Sequence, residues 1–117
     1  MNFNELNIKV IGWAKDRSIF DKATPISQHI KTLEEVDELT MALNAQERGN
    51  LEFTCPKGNL KNTEHEIKDA IGDILVTLII QTEMQGLTME DCLESAYNII
   101  SKRTGKMVDG IFVKDKD

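Results

Sequence analysis

The chain has 117 residues, with 14 Lys and Arg against 20 Asp and Glu for a formal charge of −6, 40% apolar residues and only two prolines. That length holds one small hydrophobic core, so a single domain over residues 1–117 is expected. The composition excludes a disordered tail, and the acidic balance excludes stable binding to nucleic acid over an extended basic surface.

Cys55 and Cys92 are too few for a disulfide scaffold and lack the close spacing of a structural zinc site. No stretch reaches the roughly 18 consecutive apolar residues of a membrane span. A cytoplasmic protein without membrane contact is expected.

Phe3, Leu6, Val10, Trp13 and Ala14 fall three and four residues apart and predict a first amphipathic helix, about residues 3 to 16. Thr24 before Pro25 gives an N-cap with a first-turn proline. Ile26, Ile30, Leu33, Val36 and Leu43 then keep helical spacing until Arg48-Gly49 ends the second helix. Gly49–Asn62, rich in Gly, Pro and Asn, reads as a surface loop.

Thr63 with Glu66 reads as a capping box opening a third helix, whose run Ile74–Ile80 is apolar on nearly every side and belongs at the centre. Gly86 supplies a stop and Thr88 caps a fourth helix with Met89, Cys92, Leu93, Ala96, Ile99 and Ile100 on one stripe. Asp109-Gly110 between two short apolar runs signals a tight hairpin. The expected fold class is all-α: a four-helix antiparallel bundle with a short C-terminal β-hairpin or extended tail. So small a bundle covers its third helix poorly, which favours a homodimer or homotetramer; the alternative is that the other three helices wrap it fully.

The second helix carries Glu34, Glu35, Asp37 and Glu38 within five positions, and Glu35 and Glu38 share a side with Gln28 and Lys31. Glu34 and Glu38 are a like-charge i, i+4 pair that a cation would relieve. On the third helix Glu66, Asp69 and Asp73 share one face, and Asp73 directly precedes the apolar run, where an unpaired buried charge is costly. If the two stripes face each other, hard oxygen ligands converge, a set that suits Mg²⁺ or Mn²⁺ rather than zinc. The same residues also suit a solvated acidic face, with Lys31 and Glu35 a simple i, i+4 ion pair and Glu66 a cap.

The run Gln28–Leu39, with its E-E-x-x-E core, and the acidic run Asp69–Val76 resemble the MazG-like nucleotide pyrophosphohydrolases of the all-α NTP pyrophosphatase superfamily. Ile11-Gly12-Trp13-Ala14 is similar to the early aromatic segment of that family. The ending from Tyr97 through Arg103-Thr104-Gly105-Lys106 to Lys114 is similar to its small phage and Gram-positive bacterial members. The family pattern places E-x-x-D on the second acidic helix. Aligning the Gly-Asp-apolar context puts the Asp at Asp73 but the Glu at Ala70, whereas aligning the letters gives Glu66 and Asp69.

The resemblance implies Mg²⁺-dependent hydrolysis of a nucleoside triphosphate between the α and β phosphates, giving a nucleoside monophosphate and pyrophosphate. It implies metal ligands among Glu35, Glu38, Asp69, Asp73 and Glu66, with Glu34 orienting or deprotonating the attacking water. Substrate contacts are expected at Lys31, Asn98 and Lys102, and at Trp13 as a base-stacking platform, against the plainer roles of core residue for Trp13 and helix-end charge for Lys102. Two other readings stand beside it: a protein of the same fold that binds nucleotide or metal without turnover, and a helical oligomerisation module with a solvated acidic face.

Overall fold

The computed structural model describes residues 1–116. Its elements in chain order are α1 (Phe3–Asp16), α2 (Ile19–Lys22), α3 (Pro25–Glu47), β1 (Glu52–Thr54), β2 (Leu60–Asn62), α4 (Thr63–Met84), α5 (Met89–Ile100), β3 (Gly105–Val108) and β4 (Ile111–Lys114). They fall into two compact units, Met1–Gly86 and a second that begins at Leu87. No helix among the described residues is long and apolar enough to cross a membrane.

Helix α3 begins where Thr24 and Ser27 exchange side-chain and backbone hydrogen bonds, at 3.1 and 2.9 Å, around Pro25 in the first turn. These bonds satisfy amides that the helix cannot, and proline costs nothing at a position with no intrahelical N–H bond. Arg48 caps the other end and Gly49 turns the chain away with φ +76°. In the first unit α4 packs along α3, against α1 and beside β2, so it holds the central place its apolar run implies.

The face that α3 buries is not its apolar stripe. Gln28, Thr32, Glu35, Ala42 and Ala45 are buried, whereas Ile26 and Leu33 remain 67% and 49% exposed. On α4 the buried residues are Thr63, Ala70, Thr77, Ile79 and Ile80. Small side chains let the two backbones approach closely, and the polar ones are bonded across the seam. Thr32 Oγ donates to Thr77 Oγ at 2.9 Å, Thr77 Oγ donates to the Ile74 carbonyl, and Gln28 Nε2 donates to the Thr77 carbonyl at 3.3 Å. Satisfied in this way, buried polar groups avoid the desolvation penalty of orphaned ones.

The four-helix antiparallel bundle is overturned. Among the described residues there are five helices, four of them seven residues or longer, and two separate two-stranded antiparallel sheets. The segment expected as a loop pairs with itself: β1 and β2 register Glu52 with Asn62 and Thr54 with Leu60. Their connection closes through Gly58 N–H to the Cys55 carbonyl, with Pro56 second in the turn and Gly58 at φ +86°. Strands of three residues are too short to show alternation, so turn chemistry was the only signal the sequence carried there.

The start of α4 also differs from the expected Thr63–Glu66 capping box. Asn62 is the N-cap, its Oδ1 accepting the His65 N–H at 2.9 Å, because Thr63 is drawn into the hairpin: its N–H reaches the Leu51 carbonyl and its hydroxyl the Asn50 carbonyl. Glu66 is thereby released from any capping duty.

In the second unit, Thr88 caps α5 by accepting the Asp91 N–H, and β3 and β4 pair around Asp109 and Gly110, both at positive φ as a two-residue type I′ hairpin requires. None of its described residues is buried, Cys92 and the apolar stripe of α5 included. At Gly105 a Cβ would meet the Val113 carbonyl and lie 2.7 Å from Phe112 Cζ, so only glycine fits that pairing.

Replacing Asn62 by Ala is expected to lower stability by about 1 kcal/mol in chemical denaturation, the usual cost of an N-cap, whereas Glu66→Ala is expected to leave it unchanged or raise it. Losses of equal size would restore the Thr63–Glu66 box.

Candidate metal centre

Helices α3 and α4 run side by side with their acidic positions at the shared seam. Glu35 and Glu38 stand one turn apart on α3, and Asp73 projects from α4 just before its apolar run. One carboxylate oxygen from each of the three lies within 4.8 Å of the others. Glu35 is the buried member at 7% exposure; its Oε1 pairs with Lys31 Nζ at 3.3 Å, and its Oε2 is buried without any hydrogen-bond partner. An unsatisfied carboxylate oxygen in that setting is costly unless a cation or a donor meets it.

The electrostatics of the cluster follow from this crowding. Burial first, then the neighbouring Glu35 carboxylate and the charge of Glu66, raise the Glu38 carboxyl above its ordinary value, with Lys31 opposing them. Burial, followed by the charges of Glu35, Asp69 and Glu66, raises Asp73. Both therefore hold a proton more readily than a free carboxyl does. Among the described residues Lys31 is the one cation engaged with the cluster, and its hydrogen bond to Glu34 raises it, partly opposed by burial and aided by Glu35. One lysine shared between two carboxylates does not neutralise the group.

The remaining sequence-derived candidates are placed as follows. Glu34 is exposed at the edge, where its Oε2 accepts from Lys31 Nζ at 3.3 Å. Asp69 is paired with His65 Nε2 at 3.2 Å on its own helix, and Glu66 is half-buried. Trp13, 47% exposed, lines a cavity of about 230 Å³ together with Lys31, Glu35 and Asp73, and Arg17 lies 5.4 Å from its ring centroid. Asn98 lies in the last turns of α5 and Lys102 just beyond it, both in the second unit, where Lys102 lines a pocket with Arg103 and Lys114.

A larger cleft of about 400 Å³ is also lined by Glu38 and Asp73. Glu66, Asp69 and Met41 extend its helical wall, and the β1–β2 hairpin supplies the opposite wall with Phe53, Cys55, Lys57, Asn59 and Lys61. Those hairpin residues escaped the sequence reading. The available signal was the turn Pro56-Lys57-Gly58 between the two acidic helices.

The donor set fits a divalent cation of the hard, oxygen-seeking kind: three carboxylates, one of them with an oxygen otherwise orphaned, and no thiol or imidazole among the three. No family model matches the chain, and no solved structure matches it. Among curated proteins it is similar to an uncharacterized 18.2 kDa protein in the rep-hol intergenic region of Haemophilus phage HP1, with 37% identity over 68 residues. That stretch is 58% of this chain and 32% of the phage protein, so the match spans about a third of the relative's length.

Raised carboxyls set the direction of the pH response. Without metal, Glu38 and Asp73 bind protons more tightly folded than unfolded, so their contribution to stability is greatest at low pH and is lost as pH rises through their raised range. A divalent ion needs them ionised, so its effect runs the other way. Mg²⁺ or Mn²⁺ at about tenfold over its Kd is expected to raise the melting temperature by about 5 °C near pH 8. The gain should shrink as pH falls toward the ordinary carboxylate range of about 4 and be absent in Glu35→Gln. A gain independent of pH, or one that survives Glu35→Gln, would remove this centre from consideration.

Proposed function

We propose that the chain is a Mg²⁺-dependent nucleoside triphosphate pyrophosphohydrolase, cleaving between the α and β phosphates to give a nucleoside monophosphate and pyrophosphate. The observation that carries the reading is the convergence of Glu35, Glu38 and Asp73 with one buried, unpartnered oxygen on Glu35. The MazG-like character of the two acidic segments supports the reaction class. The partial likeness to a phage protein adds no activity, because its name states none.

Glu35, Glu38 and Asp73 are the residues that would hold the metal, with Asp69 and Glu66 extending the acidic wall. Divalent ions held there supply positive charge to the phosphate oxygens and to the pyrophosphate as it leaves. Without them an acidic site repels a polyanion, so the same carboxylates that look unsuited to a nucleotide become its anchorage. Glu34, exposed and tethered by Lys31, is proposed to orient a water and accept its proton, and Lys31 also tempers the charge between Glu34 and Glu35. Trp13 beside Glu35 and Asp73 offers an aromatic surface for a base, with Arg17 already against the ring.

The chain is also proposed to act as a homodimer or homotetramer in the cytoplasm. Ile26, Ile30 and Leu33 form an apolar stripe on α3 that its own protomer leaves exposed, while the polar face of the same helix is the one packed inward. A second copy is the economical cover for such a stripe.

A second reading, nucleotide or metal binding without turnover, is favoured by Ala70. That position carries a carboxylate in one alignment of the family pattern, and here it is 1% exposed within the α4 core face.

Pyrophosphate and a nucleoside monophosphate are expected in equal amounts when the protein meets a nucleotide panel with Mg²⁺. Glu38→Gln should cut the rate by about a hundredfold or more, as losing a few kcal/mol of transition-state charge stabilisation would. Tight nucleotide binding with no product after long incubation would select the second reading. Leu33→Asp is expected to convert the oligomer to a smaller species in light scattering, and an unchanged mass would separate the stripe from assembly.

A further inference from the structure

The 400 Å³ cleft has a division of charge that the carboxylate triad does not explain. Every acidic lining residue comes from α3 or α4, and both cationic ones, Lys57 and Lys61, come from the β1–β2 hairpin. Among the described residues neither lysine forms a salt bridge, although four carboxylates line the same cleft. Opposite charges that share a cavity without closing on each other leave room for a ligand that is cationic on one side and anionic on the other. A polyphosphate chelated to divalent ions has that distribution.

We propose that the β1–β2 hairpin is the phosphate-binding wall of the site, with Lys57 and Lys61 taking the oxygens of the terminal phosphates of a nucleoside triphosphate whose metal-bearing side faces Glu38 and Asp73. The inference rests on the metal-centre reading above and extends it to the length of the phosphate chain the site selects.

The local chemistry of the hairpin agrees. Cys55 sits at the turn, and its thiol is lowered from its ordinary value by backbone hydrogen bonds, that from Asn59 first and then Lys57, and by the charge of Lys61. A turn that favours a thiolate favours other anions at the same place. Lys61 is half-buried in β2, and the hairpin is tied down through Thr63 to the carbonyls of Asn50 and Leu51, so this lysine is presented from a held strand. The charge on each lysine is compact and rotatable, which suits phosphate oxygens with no fixed fork geometry.

Cys55 also provides the readout. In a Cys92→Ser background, with Cys55 the sole thiol, Mg²⁺ with inorganic tripolyphosphate is expected to slow alkylation of Cys55 by iodoacetamide at least about fivefold at a tripolyphosphate concentration of several times Kd. Lys57→Ala and Lys61→Ala should each weaken tripolyphosphate by about tenfold or more, the loss of one charge-assisted hydrogen bond, and Lys61→Arg should recover much of it. Lys68→Ala, on α4 and outside the cleft, should leave protection intact. Mg²⁺ alone should raise the melting temperature equally in wild type and in the lysine variants.

A normal Mg²⁺ response with protection that is absent, or that survives loss of both lysines, would overturn the hairpin assignment and leave the metal centre standing. Equal weakening by Lys68→Ala would also overturn it, because the effect would then be one of general charge. No Mg²⁺ response in the wild type would overturn the metal centre and this inference with it.

Discussion

A buried carboxylate with one hand free governs this protein. Glu35 is enclosed in the α3–α4 seam with Lys31 on Oε1 and nothing on Oε2, and two further carboxylates reach it from Glu38 and Asp73. In water such a cluster would disperse; here it cannot, because its members are fixed to two helices that pack along their length. The crowding is visible as raised carboxyls at Glu38 and Asp73, so the metal-free fold carries a charge conflict at neutral pH that a divalent cation would relieve. Structural ion clusters of this kind are commonly sites of function, since stability alone would favour an apolar replacement.

The seam that holds the cluster is made of small and hydroxyl-bearing side chains. Ala42, Ala45 and Ala70 allow close approach, and Thr32, Thr77 and Gln28 satisfy one another across it. The consequence is a helix turned inside out relative to an isolated amphipath: α3 packs its polar side against α4 and leaves Ile26, Ile30 and Leu33 outside. The polar inward face presents carboxylates at the seam, and the apolar outward face stays exposed.

The sequence made the helices legible because their signals are local: the Thr24-Pro25 start of α3, the Gly49 stop and the Thr88 cap each act within one turn. It also put Glu35 with Glu38 on one stripe and Asp73 on another, since helical spacing fixes which residues share a side, but it left open whether the two stripes meet. What it could not give was which stripe faces inward. Apolar periodicity placed Ile26 and Leu33 on one helical stripe, and the structure leaves both exposed. The hairpin was hidden for a different reason: three-residue strands pair through backbone groups that every residue has, so Lys57 and Lys61 gave no sign of sharing a cleft with Asp73. The same pairing moved the α4 cap from Thr63 to Asn62, a tertiary effect on a local rule.

The two alignments of the second acidic segment can be weighed on geometry. Asp73 meets Glu35 and Glu38, whereas Asp69 is paired with His65 one turn before it and Glu66 stands two turns before it, about 10 Å along the helix axis. A single ion cannot be shared between Glu66 and Asp73 over that distance. Asp73 is therefore the α4 carboxylate that completes the cluster, and Ala70, three residues before it, offers none and is packed into the core face of α4. Glu66, freed from the cap, still raises Glu38 through its charge and lines the cleft that Lys57 and Lys61 face. The acidic surface is thus a tight triad with a looser wall leading away from it toward the hairpin, an open arrangement rather than a closed cage around the three carboxylates.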